Sequence, residues 1–168
     1  MITKKTPKDK ILELAKECRK CGSCCRFTGG FILEKEISGI AQFLGLSKKE
    51  FMKKYLDEVE MFNTKVFKMK REISEKPFSP CVFYDEAEKC MIHDSKPLHC
   101  RVGNCNENGE ELIQWYFLNN LVNENDPESV RQWATFIKQN NPIPGGNLSE
   151  LVPDKEKLKK IMNHEVLK

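Results

Sequence analysis

The sequence has no apolar run that could cross a bilayer; its densest apolar patch, residues 115–118, covers a single helical turn. Lys4, Lys5, Lys8 and Lys10 stand near the start, but no apolar stretch follows them, so a secretory signal is not read there. Arginine is scarce: of 28 basic residues only Arg19, Arg26, Arg71, Arg101 and Arg131 are Arg, and the net charge is only +3. A Lys-rich surface of that balance suits solubility better than bidentate phosphate recognition, and no nucleic-acid partner is expected. Glycine pairs are isolated at Gly29-Gly30 and Gly145-Gly146, so there is no nucleotide-binding loop following a strand. With three histidines and no Ser/His/Asp or paired-carboxylate constellation, nothing in the residues alone argues for catalysis. Neither an internal repeat nor a low-complexity segment is present. These absences leave a soluble globular chain without membrane insertion, expected in a reducing cytoplasm.

Cysteine is what the sequence does have. Cys18, Cys21, Cys24 and Cys25 fall within eight residues, and Cys81, Cys90, Cys100 and Cys105 fall within a second window of twenty-five. At this density, without a secretory signal, a metal site is a better reading than a disulfide framework.

The periodicities around the cysteines predict a mainly α fold with a small β-hairpin (α+β), a compact metal-clasped domain followed by C-terminal helices. Residues 7–17 read as a short amphipathic helix with Ile11, Leu12, Leu14 and Ala15 on one stripe. Ile37, Ile40, Ala41 and Leu44 recur at helical spacing, with Gly45 as the stop. Ser47 and Glu50 form a capping box for a helix carrying Phe51, Met52, Tyr55, Leu56 and Val59, read as running to residue 60. Residues 62–70 alternate as a strand. Residues 81–84 and 90–93 read as a hairpin with a cysteine near the start of each arm, and 94–97 as the break before a short helix delivering His99 and Cys100. Residues 103–105 read as a turn. Helices follow over 110–119 and from Asp126-Pro127, with Trp115 and Trp133 as core; residues 141–147 read as a loop or linker, and 153–167 as a last charged helix. The expected division is a cysteine-cluster domain over 1–147 and a charged helical tail over 148–168.

A Cys-x-x-Cys turn sets two thiolates on one side of the backbone, about a metal's width apart. Cys18-x-x-Cys21-x-x-Cys24 matches the first three positions of a bacterial ferredoxin run, whose thiolates grip different irons of one cube. Equally, Cys18-Arg19-Lys20-Cys21-Gly22 looks like half of a zinc ribbon. A redox dithiol lacks the surrounding βαβ pattern. Neighbouring side chains diverge, so Cys25 is expected to serve a second metal, another part of a cluster, or nothing. The second group contains no Cys-x-x-Cys, and His93 or His99 could replace a sulfur; His164 is expected to have no site role.

These residues carry a resemblance. Cys18-x2-Cys21-Gly22-x-Cys24-Cys25, an Ile-rich helix ending at Leu44-Gly45, Pro80-Cys81-x-Phe83, Cys90-x-Ile92 and Lys96-Pro97-x-x-Cys100-Arg101 are similar to the YkgJ-like cysteine-cluster family, described as chelating zinc or iron, over about residues 15–105. The resemblance implies metal binding by Cys18, Cys21, Cys24, Cys25, Cys81, Cys90 and Cys100. Cys105 is an addition to the pattern and makes an even count of eight ligands. His93 stands where the family has Tyr, Lys96 where it has Arg, and Val102-Gly103 where it has Phe-Pro. Some larger relatives are similar to flagellin lysine N-methylases, which use S-adenosylmethionine.

The expected function is a cysteine-rich metal-binding protein holding an iron–sulfur cluster, [4Fe–4S] favoured, or zinc as the alternative, with a structural, redox-sensing or partner-binding role. A methyltransferase-like or redox enzyme, resting on the resemblance alone, and a metal carrier are the competing readings. Folding is expected to depend on the metal, because helices 7–17 and 34–60 have little else to pack on. Cys21→Ser is therefore expected to lower metal content and thermal stability together; elemental analysis alongside a melting curve checks this, and unchanged metal stoichiometry removes Cys21 from the ligand set.

Overall fold

In the computed structural model, which describes residues 1–27, 29–73, 75, 78–103, 105 and 107–166, the N-terminal helix α1 (Lys8–Leu14) runs into a 3-10 turn (Ala15–Glu17) and the first cysteine segment. The chain continues through α2 (Ser23–Phe27), β1 (Phe31–Ile32), α3 (Glu34–Phe43), α4 (Lys48–Tyr55), β2 (Leu56–Met61) and β3 (Thr64–Met69). A small hairpin, β4 (Tyr84–Asp85) and β5 (Lys89–Cys90), precedes a 3-10 turn (His93–Ser95) and α5 (Leu98–Val102). The remainder is α6 (Gly109–Asn120), α7 (Pro127–Phe136), α8 (Leu148–Leu151) and α9 (Lys155–Met162). The α+β class expected from the periodicities is the class observed.

A three-stranded antiparallel sheet in the order β1-β3-β2 divides the apolar interior. Alternate residues of a strand face opposite sides. Accordingly Phe31, Val59 and Val66 join one core while Ile32, Leu56 and Met69 join the other. The larger core lies under α1, α6 and α7 and buries Trp133, Tyr116, Ile11 and Ile161. The smaller one holds Ile37, Ile40 and Phe51 of α3 and α4 against Phe83, Ile92 and Cys81. Helix α1 and the α3–α4 pair thus have apolar partners of their own, contrary to the expectation that they have little to pack on apart from the metal clasp.

Several boundaries differ from the sequence reading. The helix opened by Ser47 ends at Tyr55, and Leu56 and Val59 belong to β2, paired with Met69 and Val66 of β3. Helical and strand periods both accommodate so short an apolar pattern, and pairing with β3 decided between them. The β2–β3 turn has φ of 52° at Phe62 and 56° at Asn63, the left-handed pair a two-residue hairpin needs. Phe62 accepts it because its ring is wedged edge-on among Phe117, Trp133 and Phe136. The cysteine hairpin is shorter than expected, and Cys81 lies just before it, bridged to Arg71. Residues 141–147 are pinned to the body: Gln114 accepts from the Ile143 amide and donates to the Asn141 carbonyl, while Trp133 Nε1 donates to the Gly146 carbonyl at 2.7 Å. The short helix α8 follows, ahead of the stretch read as the last helix. The last helix stops at Met162 rather than 167, and Leu167 and the Asn104 of the expected 103–105 turn lie outside the described residues.

Asp126 links the hairpin to α7. Its Oδ1 accepts from the Glu128 and Ser129 amides at 2.8 and 2.9 Å, and its Oδ2 accepts from Asn63 Nδ2 at 2.8 Å. These donors, the Ser129 amide first, hold its pKa below the ordinary carboxylate value. Asp126→Ala is expected to cost about 1–2 kcal/mol in urea unfolding. The stabilisation is present in full above the unfolded pKa of about 3.9 and is lost as pH falls through the lower folded value, so the variant should show a flatter acid limb.

Candidate metal centre

Backbone contacts bring the two cysteine windows together. The Cys81 amide donates to the Cys25 carbonyl at 2.7 Å, and Arg26 donates to Tyr84 Oη from Nη2 at 2.6 Å and from Nε at 3.2 Å. The Tyr84 ring covers Gly22, where any Cβ would stand 2.9 Å from Tyr84 Cε2. Gly22 also has φ of 77°, and Lys20 before it 52°, so the chain around Cys21 turns through two left-handed residues. α2 then carries Cys24 and Cys25, β5 carries Cys90, and α5 carries Cys100.

All eight cysteines are described and none is disulfide-bonded. Seven of them, all but Cys81, line one surface cavity of about 710 Å³. Cys81 is buried and opens instead onto a small inner cavity of about 40 Å³, shared with Cys24, Cys25, Cys90 and Cys100. No carboxylate is among the described lining residues, whereas Arg19, Lys20, Lys89 and Lys96 edge the wide cavity. Thiol donors without carboxylate oxygens suit zinc or iron and not calcium or magnesium, and the cationic edge offsets thiolate charge. Among the described residues, no three Cys, His, Asp or Glu side chains already converge to hold one ion. The thiols surround space; they do not yet share a centre.

Their protonation is strongly differentiated. The Cys25 thiol sits between Cys24 and Cys90, its Sγ 4.0 Å from Cys24 Sγ, so the two neighbouring side chains do not diverge as expected. Hydrogen bonding among the three lowers Cys24 to about 6 and Cys90 to about 7 and raises Cys25. Lys96 lowers both further. The amide two residues on assists three thiolates: Ser23 for Cys21, Phe83 for Cys81 and Ile92 for Cys90. Such N–H groups aimed at sulfur orient and stabilise metal-bound thiolates. Burial outweighs the Phe83 amide at Cys81, pushed up to about 11, and raises Cys100 as well. Cys105 meets Cys21 at the surface.

Of the histidines, His93 lines the wide cavity with Lys96 Nζ 3.3 Å from its Nε2, and His99 lines the inner one. Burial holds His99 neutral, with a pKa near 4, edge-on between Phe31 and Tyr116. His164 lies outside both cavities. Two residues outside the predicted ligand set also shape it: Gly30, whose absent Cβ leaves room for Cys100 Sγ, and Met69, whose sulfur is 3.6 Å from Cys81 Sγ. Neither has a local signal, since each matters only through a residue far along the chain. Lys96 was visible as the residue at the family's Arg position, but its reach to three thiols was not.

A family model described as "CxxCxxCC: Putative zinc- or iron-chelating domain" matches residues 17–125. The match extends past the last cysteine through α6, so the helix under Cys100 belongs to the shared unit. No solved structure matches the chain.

A methyl group at Gly30 would collide with Cys100 Sγ, so Gly30→Ala is expected to displace that thiol. Metal content per chain should fall in the variant, and undiminished content on elemental analysis would show that Cys100 is not a ligand.

Proposed function

Given that the chain belongs to the CxxCxxCC family, we propose that it is a non-catalytic metalloprotein whose eight cysteines are metal ligands and whose wide cavity holds an iron–sulfur centre, a [4Fe–4S] cluster. The observation that carries this reading is the spread of seven thiols around about 710 Å³ with no three of them on one ion's position. A single ion needs four converging donors, whereas a cluster distributes its thiolates over separate irons. Cys18, Cys21 and Cys24 supply the ferredoxin-type run, and Cys105, against Cys21, supplies the fourth thiol at the same mouth. When bound, such a cluster supplies one-electron chemistry at a potential set by charge, hydrogen bonds to sulfur and exposure.

This chain's residues bear on each of those terms. The Ser23 amide is aimed at Cys21, Lys96 offsets charge at Cys24, and the cavity is open to solvent. That exposure favours a redox-sensing or partner-supporting role for the surface thiols. The metal is also expected to add stability, by joining the segment before α3 to the hairpin and α5. A zinc reading is supported by one distance: the 4.0 Å between Cys24 and Cys25 sulfurs is close to the edge of about 3.8 Å that Zn–S bonds of about 2.3 Å give a tetrahedron.

Anaerobic purification followed by absorption spectroscopy and elemental analysis tests the proposal. Brown protein with iron and sulfide near four per chain, bleaching in air, is the expected result. Colourless protein carrying only zinc would overturn the cluster, and folded protein without metal would overturn metal binding altogether.

A further inference from the structure

Cys25 and Cys90 are far apart in the chain, and contacts that involve no sulfur hold their backbones side by side. The Cys25 carbonyl accepts the Cys81 amide at 2.7 Å. Arg26, the next residue, donates to Oη of Tyr84, which stands directly opposite Cys90 in the β4–β5 ladder. Gly22 lies against Lys89, the residue before Cys90: a Cβ there would stand 3.6 Å from Lys89 Cβ. The two thiols meet between these contacts, hydrogen-bonded to each other and facing both cavities. Both are half-buried, so a small solute reaches them while the packed chain keeps them in place.

Thiols held in contact have a chemistry besides metal binding, which is oxidation to a disulfide, and the geometry selects the pair. Cys24 Sγ is 4.0 Å from Cys25 Sγ, but both stand in α2 and no peptide bond among the described residues is cis. Neighbours on a trans peptide have Cα atoms about 3.8 Å apart, short of the roughly 4.4–6.8 Å that a disulfide spans. Cys81 is buried, and Cys100 Sγ is packed on Gly30. Cys25 and Cys90 come from separate segments already docked, so joining their sulfurs is left to side-chain rotamers. We propose that Cys25 and Cys90 form a reversible disulfide when a hydroperoxide reaches the site without its metal, and that this bond bars reloading until a thiol reductant opens it. The inference rests on the metal-binding reading only for what the bond regulates.

The steps balance with hydrogen peroxide as the oxidant. One thiol sulfur attacks a peroxide oxygen; the O–O bond breaks, and the leaving hydroxide takes that thiol's proton to become water. A sulfenic acid then stands on the first cysteine. The second sulfur attacks the first; the S–O bond breaks, hydroxide leaves with the second thiol's proton as water, and the S–S bond forms. The two thiols lose two electrons and the peroxide gains them. Because the second thiol is already beside the first, this closure is intramolecular, and it spares the sulfenic acid from irreversible oxidation to sulfinic acid. The link withdraws one ligand from each cysteine window at once.

The test uses the full chain, purified anaerobically and divided, with one half treated with hydrogen peroxide and a chelator before free thiols are alkylated. Trypsin cuts after Lys20, Arg26 and Lys89, and cleavage before Asp94 separates Cys90 from Cys100, so tandem mass spectrometry of linked peptides reads the pairing. Expected are two fewer alkylated thiols per chain, a Cys25–Cys90 link in the treated half alone, its absence in Cys90→Ser, and its reversal by dithiothreitol. Ferrous iron with sulfide, and zinc in a parallel sample, should be taken up several-fold less by the linked chain than by the same chain after dithiothreitol. Because Cys90→Ser could fail to fold, the peptide map of the unaltered chain stands as the independent measurement. No link, a link between other cysteines, sulfinic acid in place of a link, or undiminished metal uptake by the linked chain overturns the inference and leaves metal binding untouched. A Cys25–Cys90 link in a chain that takes up no metal in either state supports the disulfide and overturns the metal reading.

Discussion

Everything at the metal centre depends on the docking of residues 18–27 against residues 81–90, and that docking is made by ordinary polar contacts. The Cys81 amide on the Cys25 carbonyl and the Arg26 guanidinium on Tyr84 Oη join two windows more than fifty residues apart. Gly22 permits it, because any side chain there would meet the Tyr84 ring. The thiols are thus brought to one place by the fold, and metal acts on an arrangement that is already gathered. Closing a loop of that length costs chain entropy, which the small apolar core around Phe51 and Phe83 offsets.

The three-stranded sheet gives this arrangement its support. One face lies on the helical core of Trp133 and Tyr116, the other on the core that includes Cys81 itself. Met69 of β3 and Gly30 beside β1 reach the inner thiols directly, so the strands set positions at the metal centre as well as separating the cores. On the far side α5 hangs from Glu36, whose carboxylate accepts the Leu98 amide at 2.7 Å and the Leu33 amide at 3.0 Å. One side chain therefore serves the starts of both α3 and α5, fixing Cys100 relative to the α3–α4 pair.

Much of the fold was legible in the residues. Ser47 with Glu50, Asp126 with Pro127, and Gly45 at φ of 68° each act locally, through groups within one helical turn, and each marks a boundary that the structure has. Where the reading failed, the deciding contact was distant. Leu56 and Val59 fit a helix until β3 supplies partners, and no turn signal marks Met61-Phe62-Asn63-Thr64, because aromatic packing holds Phe62 in a conformation its own chemistry disfavours. Cys24 and Cys25 were expected to point apart, yet their sulfurs lie 4.0 Å from each other, with Cys90 beside Cys25.

The sequence by itself determined the chemistry: thiols at Cys-x-x-Cys spacing, no carboxylate run to compete with them, and a family pattern that fixes their order along the chain. Spacing of three is a local property, so Cys18, Cys21 and Cys24 could be grouped without knowing the fold. Only the tertiary structure decided which thiols share a cavity. Cys81, Cys90 and Cys100 are separated by eight and nine residues with no common turn, and what unites them is a hairpin, a helix start and a glycine opposite. Burial and neighbouring donors then set Cys24 and Cys90 toward thiolate and Cys81 and Cys100 away from it, a distinction that identical side chains cannot carry in their sequence.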